Sequence, residues 1–496
     1  MKFKKIFTTI FAIALLFSMP SCKKYLEQTP DNRAEINTIE KLSQLVSTAY
    51  PARDYLTFTE ASSDNAEDKG EGIGKLFNTV DIPYAWQDLI GDDTNSSTAY
   101  WNACYEAIAA ANQALESIEA NNLGTGALPY KGEALVCRAY AHFMLATLFA
   151  TPYKIGGAND APGIPYIDQP ETKVIQPYSR GTVANTYARI EKDLEDGLPL
   201  LQAAAYKVPK YHFTPVAAHA FASRFYLFTG KWQKVVDHAT LTVPGNDFVN
   251  NMRLISTDLR LMTFPDFNTN FMASSQKYNL LLLGTYSTYA RFITSSGTSF
   301  PRHGYGAKMA KMFTAAGNVT KKQLANNVLT NGGVPNYTSY KFKENFFYTS
   351  PGVGYPYLTF AGFTVDEALM NRAEAYAELG MDNLALKDIN DFYSQRIVGF
   401  NPANDAVTAA KIAAFYPAIT DAKQALITTI LDAKKAEFLQ EGLRWFDVIR
   451  RDITVIHNTI DITGKETFAE LKPGDLHRIF QLPLEVKTSG IELNPR

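Results

Sequence analysis

The sequence predicts an all-α dominated fold of stacked helix pairs, an α–α superhelix, with one long, irregular and partly β insertion. Apolar residues recur at helical spacing through most of the chain, two segments 150 residues apart resemble each other, and residues 241–362 interrupt the pattern. The 496 residues are 46 % apolar and carry 48 basic against 50 acidic side chains. This balance allows a large core and gives no charge excess of the kind that binds nucleic acid.

The one long apolar run lies at the N-terminus. Three lysines precede residues 6–19, and Ser21 and Cys22 follow shortly after them. The run is too short for a bilayer span of about 20 residues, but a basic head, a short apolar middle and a small residue form an export signal. We therefore expect residues 1–21 to be a cleaved lipoprotein signal, Cys22 to carry the lipid, and residues 22–36 to form a tether. An ordinary secretory signal with a chance cysteine is the alternative.

The body, residues 37–496, is expected to form one unit, whose N-terminal part of helix pairs covers residues 37–240. A first helix is predicted from Asn37 to Tyr50, and the polar clusters within residues 51–98 predict a long, partly ordered loop region. Helical spacing then predicts three longer helices, over residues 101–115, 133–149 and 182–201.

Two cysteines remain in the body. Cys104 and Cys137 lie in helices joined by a short loop, and antiparallel packing separates them by about 10 Å along the helix axis at 1.5 Å per residue. A disulfide needs Cα atoms within about 7 Å. The sequence therefore predicts two buried free thiols.

Residues 213–240 align with residues 363–390 as two copies of a helix–turn–helix unit. Each copy has a threonine N-cap, then a tyrosine four residues before a glycine that ends the helix, and then a second amphipathic helix. This arrangement is typical of tetratricopeptide-like helix pairs. Two unrelated helical hairpins are the alternative. The matched residues are Thr214 with Thr364, Tyr226 with Tyr376 and Gly230 with Gly380, and arginines recur at similar positions, Arg138, Arg224 and Arg372.

The insertion, residues 241–362, is rich in Gly, Pro, Asn and Tyr and contains one strand-like stretch at 278–289. Irregular segments of this length usually serve a function. The C-terminal part, residues 363–496, contains the second repeat copy and a strong final helix predicted over 432–451.

Catalytic and metal-binding signatures are missing from the sequence. It lacks His-Glu-x-x-His and Gly-x-Ser-x-Gly, and Leu76 follows Lys75 where a phosphate loop needs Ser or Thr. Glu437 and Glu441 lie four residues apart on one helix face, but Arg444 would neutralise them, which favours a structural ion-pair network. We therefore predict no catalytic residue, metal or cofactor.

Aromatic side chains in the two irregular regions are the candidate ligand surface. Sugar rings stack their C–H faces on such rings at little entropic cost, and polar neighbours add hydrogen bonds. The candidate ligand-binding residues are Asp64, Asn65, Tyr84, Trp86, Tyr305, Tyr355 and Tyr357.

Several segments in order resemble the SusD/RagB-type nutrient-binding lipoproteins of Bacteroidetes outer membranes. The resemblance covers most of the chain, and its strongest stretches are EALMNRAEAYAELG at 367–380 and EGLRWFDVIRRD at 441–452. It also includes Ser21-Cys22, Asp64-Asn65, Trp101, Tyr105, Arg138-Ala139-Tyr140 and the terminal Asn494-Pro495. One departure is Ala433-Lys434, where the family often has Glu-Arg, so we expect a thinner ion-pair network there.

The resemblance implies a tetratricopeptide-like body and a non-enzymatic role. Such proteins are lipid-anchored at the outer membrane and face outward, where they bind an oligosaccharide or sometimes a peptide and pass it to a SusC-like TonB-dependent transporter. Signal cleavage leaves 45 basic and 50 acidic residues, and this mildly acidic body fits an uncharged ligand. The alternatives are a helical scaffold that binds only proteins and a helical-barrel glycosidase or lyase.

Overall fold

The computed structural model describes residues 35–171, 173, 176–294, 300–330, 333 and 335–496. The predicted signal peptide, the lipid attachment at Cys22 and nearly all of the tether lie outside these residues. Among the residues described, no helix is long and apolar enough to cross a membrane.

The N-terminal half is helical. Its helices are α1 (Ile39–Val46), α2 (Leu56–Ser62), α3 (Asn78–Tyr84), α4 (Ser97–Ala120), α5 (Leu128–Phe149), α6 (Val183–Gly197), α7 (Pro215–Thr229) and α8 (Trp232–Thr240). The remaining helices are α9 (Phe264–Asn270), α10 (Tyr289–Thr294), α11 (Ala307–Ala310), α12 (Val365–Glu378), α13 (Asp382–Ser394), α14 (Pro402–Asp405), α15 (Ala409–Phe415), α16 (Ala422–Glu437) and α17 (Arg444–Arg450).

Short strands lie between and after the helices. They are β1 (Glu67–Asp68), β2 (Asn279–Tyr286), β3 (His303–Gly304), β4 (Leu329–Thr330), β5 (Tyr337–Thr338), β6 (Asn345–Ser350), β7 (Val353–Thr364), β8 (Val455–Ile460) and β9 (Glu466–Leu471). The predominantly helical fold with a partly β insertion is therefore as the sequence predicts.

Residues 51–98 differ from the predicted loop region. They include α2 and α3, and every residue of α2 is buried. Phe58 is in contact with the rings of Tyr100 and Phe480, at centroid distances of 6.1 and 4.7 Å. Phe58 is thus a core residue whose ring partners lie far away in the sequence. Cys104 and Cys137 are buried free thiols, as predicted.

The repeat units form the predicted helix pairs. The side chains of Thr214 and Thr364 accept hydrogen bonds from the third residue beyond them, and so cap α7 and α12. Gly230 and Gly380 have φ values of 71° and 72°, a left-handed conformation that favours glycine and ends each helix. Helix α12 packs against both helices of the first pair and against its own partner α13. The pairs therefore stack on each other, as in a tetratricopeptide-like array.

The three recurring arginines each form a buried two-pronged ion pair. Arg138 on α5 binds Asp193 of α6 with two distances of 2.7 Å. The other pairs also join two helices: they are Arg224 with Glu367, at 2.6 Å for both contacts, and Arg372 with Asp388, at 2.8 and 2.7 Å. Such paired geometry suits the planar guanidinium and fixes the relative rotation of two helices.

The predicted final helix is interrupted. The chain leaves the helical conformation between α16 and α17, where Gln440 and Gly442 have φ values of 66° and 72°. Their freed N–H groups donate to the carboxylate of Glu60 on α2, at 2.7 and 3.1 Å. The prediction of one helix over 432–451 is wrong because a tertiary partner satisfies the backbone at this break.

Glu60 should make a measurable contribution to the pH dependence of stability. Burial raises its pKa from 4.5 to about 7, against the lowering effect of the hydrogen bonds from Gln440, Asn65 and Gly442. Between these pH values the folded protein holds a proton that the unfolded chain releases, so this contribution falls as the pH rises. We therefore compare the free energies of unfolding of the wild type and of Glu60→Gln. The advantage of the wild type over the variant should fall by about 2–3 kcal/mol as the pH rises from 4.5 to about 7.

Urea denaturation of both proteins at several pH values measures this difference. The substituted glutamine is neutral throughout, so titration of all other groups cancels between the two proteins. A difference that stays flat, or that increases with pH, would contradict the assignment.

A buried ion-pair network joins the insertion to the C-terminal helices. Arg253 has no exposed side-chain surface and contacts Glu437 at 2.9 Å and Glu441 at 2.8 Å. Arg396 binds Glu437 at 2.7 Å, and Lys341 binds Glu441 at 2.6 Å. Although burial opposes ionisation, the charges of Arg396 and Arg253 lower the pKa of Glu437 to about 2. The predicted structural role of the two glutamates is therefore confirmed.

Two details of this region differ from expectation. Arg444 does not neutralise the two glutamates and instead binds Asp64, at 2.7 Å. We expected fewer ion pairs at Ala433-Lys434, but the ammonium of Lys434 binds Asp447 at 3.0 Å. The ion pairs near α17 are therefore more extensive than the sequence suggests.

Candidate functional site

The insertion folds around a three-stranded antiparallel sheet with the strand order β2-β7-β6. The central strand β7 continues directly into α12, so the repeat body holds the sheet. Its inner end is buried, with Leu283, Leu358 and Phe360 in the core. The outer end, which carries the β6–β7 hairpin, extends into solvent.

Four aromatic side chains occupy one face of this outer end. Phe347 pairs with Tyr355 across β6 and β7, and Tyr286 on β2 pairs with Tyr357 on β7. Directly opposed residues of an antiparallel sheet project to the same face, as do residues two apart on one strand. Tyr286, Phe347, Tyr355 and Tyr357 therefore share a face, which we call the aromatic platform.

The aromatic platform is accessible. Phe347 is 58 % exposed and Tyr355 is 53 % exposed. The rings of Tyr286 and Tyr355 meet edge to face with centroids 5.4 Å apart, so each supports the orientation of the other. Surface aromatics on a paired sheet lose little conformational entropy when a ligand binds.

An open groove of about 310 Å³ runs beside the platform. Its lining residues are Gly284, Thr285, Tyr286, Phe347 and Tyr357. A Cβ atom placed on Gly284 would meet no heavy atom within 4 Å, so the absent side chain leaves room above the strand. This volume is at the lower end of the range for small-molecule sites, which begins near 300 Å³.

The predicted residues of the first irregular region lie elsewhere and are largely internal. Tyr84 is buried between the rings of His303 and His457, each with its centroid 4.1 Å away. Its hydroxyl donates to the carbonyl of Asn458 at 2.8 Å. Trp86 stacks on the other face of His457 at 4.4 Å and donates from its indole nitrogen to a backbone carbonyl. These rings form a four-membered internal stack.

Asp64 and Asn65 also have internal partners. The Asp64 carboxylate binds Arg444 at 2.7 Å and Lys435 at 2.8 Å, and these charges outweigh burial and hold the pKa of Asp64 well below its usual value. Asn65 is buried and donates its amide to Glu60 at 2.9 Å. Asp64 therefore joins the segment after α2 to α16 and α17. Asn65 orients the Glu60 carboxylate, which accepts the two N–H groups at the break between α16 and α17.

Tyr305 is buried against Tyr337, with ring centroids 5.4 Å apart. The adjacent cavity, also lined by Lys69 and His303, has a volume of about 50 Å³. That is room for a few water molecules but not for a sugar ring. Of the seven predicted residues, only Tyr355 and Tyr357 thus lie on the aromatic platform.

Sequence reasoning missed Tyr286, Phe347 and Gly284. A usable signal was present, because Pro351-Gly352 marks a turn between two runs rich in aromatic residues. Such a turn predicts a hairpin, and alternation along its strands would then place Phe347, Tyr355 and Tyr357 together. Tyr286 has no comparable local signal, since its partner strand begins more than sixty residues later.

The arrangement suits non-covalent binding. The described residues contain no group of three or more His, Cys, Asp or Glu side chains that could hold a metal ion. At the platform, the groove is lined by the rings of Tyr286, Phe347 and Tyr357 and by the backbone of β2, so its chemistry is that of stacking and of hydrogen bonding to tyrosine hydroxyls and backbone.

Two family models match the chain. A model described as "Starch-binding associating with outer membrane" matches residues 24–227, and one described as the SusD family matches residues 365–474. Together they cover more than half of the sequence. The family to which these models belong consists of glycan-binding proteins of the outer membrane.

Individual relatives agree over nearly the full length. A SusD-like protein of Formosa agariphila is 23 % identical, with 92 % of this chain and 93 % of that protein covered. A SusD-like carbohydrate binding protein of Bacteroides vulgatus has a similar fold, with a TM-score of 0.65, 17 % identity and coverage of 91 % of this chain and 96 % of that one.

A SusD superfamily protein of Bacteroides thetaiotaomicron also has this fold, with a TM-score of 0.62, 18 % identity and coverage of 92 % of this chain and 100 % of that one. These structural similarities concern the fold. Combined with the two family models and the ordered motifs, they lead to one conclusion: the chain belongs to the SusD/RagB family.

Proposed function

We propose that this protein binds an oligosaccharide, or another oligomeric nutrient, on the aromatic platform and delivers it to a TonB-dependent outer-membrane transporter. The single observation that carries the proposal is the set of four aromatic side chains on one exposed sheet face beside an open groove. Sugar rings stack on such surfaces, and a flat, open platform accommodates a chain of several units. The role is non-catalytic.

Membrane attachment belongs to the same proposal. The lipoprotein signal and Cys22 favour a lipid anchor at the outer membrane, and the tether of residues 22–36 would let the body reach a partner. A mature protein facing outward could then collect a ligand and pass it to a SusC-like transporter. Labelling with radioactive palmitate in the native host, with Cys22→Ser as the control, tests the anchor.

Affinity electrophoresis and calorimetry against a panel of glycans and peptides test the ligand proposal. We expect at least one oligosaccharide to bind and to protect Tyr355 or Tyr357 from chemical modification. Binding to no glycan or peptide would overturn the proposal. Release of new reducing ends from a polysaccharide would instead favour the glycosidase alternative.

A protein-binding scaffold is the second candidate, because Phe346 and Tyr348 are exposed on the opposite face of β6. Their rings lie 4.8 Å apart and present a separate apolar surface. Co-purification of a transporter by a protein that binds no small ligand would favour this candidate.

A further inference from the structure

Arg53 places a positive charge at one end of the aromatic platform. Its guanidinium carbon lies 5.0 Å from the centroid of the Tyr286 ring, within the range of a cation–π contact. Tyr286 is also a lining residue of the groove. The guanidinium therefore lies at the Tyr286 end of the proposed ligand surface.

The backbone on both sides of Arg53 is attached to strand β2. The carbonyl of Ala52 accepts the N–H of Tyr286 at 2.9 Å. The carboxyl group of Asp54 accepts the hydroxyl of Thr285 at 3.4 Å and the N–H of Leu56 at 3.0 Å. Because both neighbours of Arg53 are held, the backbone that carries its side chain has a fixed position relative to Tyr286.

Within the described part of the chain, the Arg53 guanidinium has no hydrogen bond or ion pair. The neighbouring Asp54 is buried, and its carboxyl group makes the hydrogen bonds described above. Burial raises the pKa of Asp54 to about 6, and the charge of Arg53 lowers this pKa only through space, without a direct contact. Glu344, which precedes β6, is already held by Arg291 at 2.8 and 3.0 Å. This situation contrasts with the buried arginines of the repeats, each of which has a carboxylate partner.

We propose that Arg53 recognises an anionic group on the ligand, and that the ligand is a glycan bearing carboxylate or sulfate groups. The inference rests on the proposed function and adds the chemical class of the ligand to it. A guanidinium presents a rigid fork of N–H donors that matches the oxygens of a carboxylate or a sulfate ester. One sugar ring can stack on the platform while its charged substituent reaches Arg53.

This local charge acts differently from the overall charge of the protein. The mildly acidic body repels an anion weakly at long range, and salt screens that repulsion beyond about 10 Å. A direct guanidinium contact beside apolar rings is screened less, so it can select an acidic glycan that the body as a whole does not attract.

Binding measurements with three probes test this inference: polygalacturonate for carboxylates, a sulfated galactan for sulfate esters, and neutral starch. We expect one of the acidic glycans to bind at least 10-fold more tightly than starch. The substitution Arg53→Gln should lower the affinity for that acidic glycan about 10-fold. Arg53→Lys should retain part of it. Arg291→Gln is the control, because that arginine lies at the surface and is already paired with the carboxylate of Glu344.

Salt provides a second readout. Raising the salt concentration from about 0.05 to about 0.5 M should weaken binding of the acidic glycan by the wild type more than by Arg53→Gln. Tight binding of starch alone, or equal affinities of wild type and Arg53→Gln for the acidic glycans, would overturn the inference and leave the proposed function intact. Binding to none of the probes or other glycans would overturn both.

Discussion

Replacing Phe347 by alanine is expected to lower the affinity for the bound glycan by about 30-fold, or about 2 kcal/mol, without changing the stability of the fold. Phe347 lies on the edge strand β6, opposite Tyr355 of the central strand, and lines the groove. Because the side chain is 58 % exposed, its removal leaves no cavity in the core. Calorimetric titration and a thermal melt of each variant measure the two quantities.

The neighbouring Tyr348 supplies the matched control. It is 66 % exposed on the same strand, but its side chain projects to the opposite face. Tyr348→Ala should therefore bind the glycan as the wild type does. Equal losses in both variants would show that the hairpin as a whole, and not the platform face, determines binding.

Gly284→Leu tests the groove by filling it, whereas Phe347→Ala removes part of its lining. The new side chain would meet no atom within 4 Å of its Cβ, and Gly284 does not have the left-handed backbone that a larger residue would strain. We expect normal stability and a loss of binding similar to that of Phe347→Ala, because the leucine would occupy the space beside Tyr286 and Tyr357. Unchanged affinity in this variant would exclude the groove as the ligand site.

Replacing Arg253 by methionine is expected to lower the free energy of unfolding by about 3–5 kcal/mol. The fully buried guanidinium contacts Glu437 and Glu441, and its loss leaves Arg396 and Lys341 as the cations nearest to them in the network. Buried carboxylates that lose a partner pay a desolvation penalty that the remaining contacts do not offset. The urea midpoints of both proteins at pH near 7 measure the difference.

Arg291→Met is the control for this second result. Its ion pair with Glu344 lies at the surface, with the arginine side chain 51 % exposed, and exposed pairs contribute about 0–1 kcal/mol. Lowering the pH should also reduce the loss of unfolding free energy caused by Arg253→Met, because protonated Glu437 and Glu441 no longer require a cation. If Arg253→Met and Arg291→Met lower the free energy of unfolding equally, the buried network contributes no more than a surface ion pair.

Much of the helical body could be predicted because its signals are local. The cap residues Thr214 and Thr364 and the glycines Gly230 and Gly380 act within one helical turn of their own positions. The strand-like stretch at 278–289, which contains β2, was likewise visible as a local run of apolar and aromatic residues. The break between α16 and α17 could not be predicted, since it depends on Glu60, about 380 residues away.

The sequence by itself therefore determined the helix pairs, the family and the aromatic residue type of the proposed ligand surface. The tertiary structure decided which aromatic residues face solvent. Tyr84 and Tyr305 have the same loop setting in the sequence as Tyr355, but distant rings cover them, whereas the β2–β7 pairing brings Tyr286 beside Tyr357 on an uncovered face. Exposure depends on what packs against a side chain, and such contacts between distant segments leave no periodic trace in the sequence.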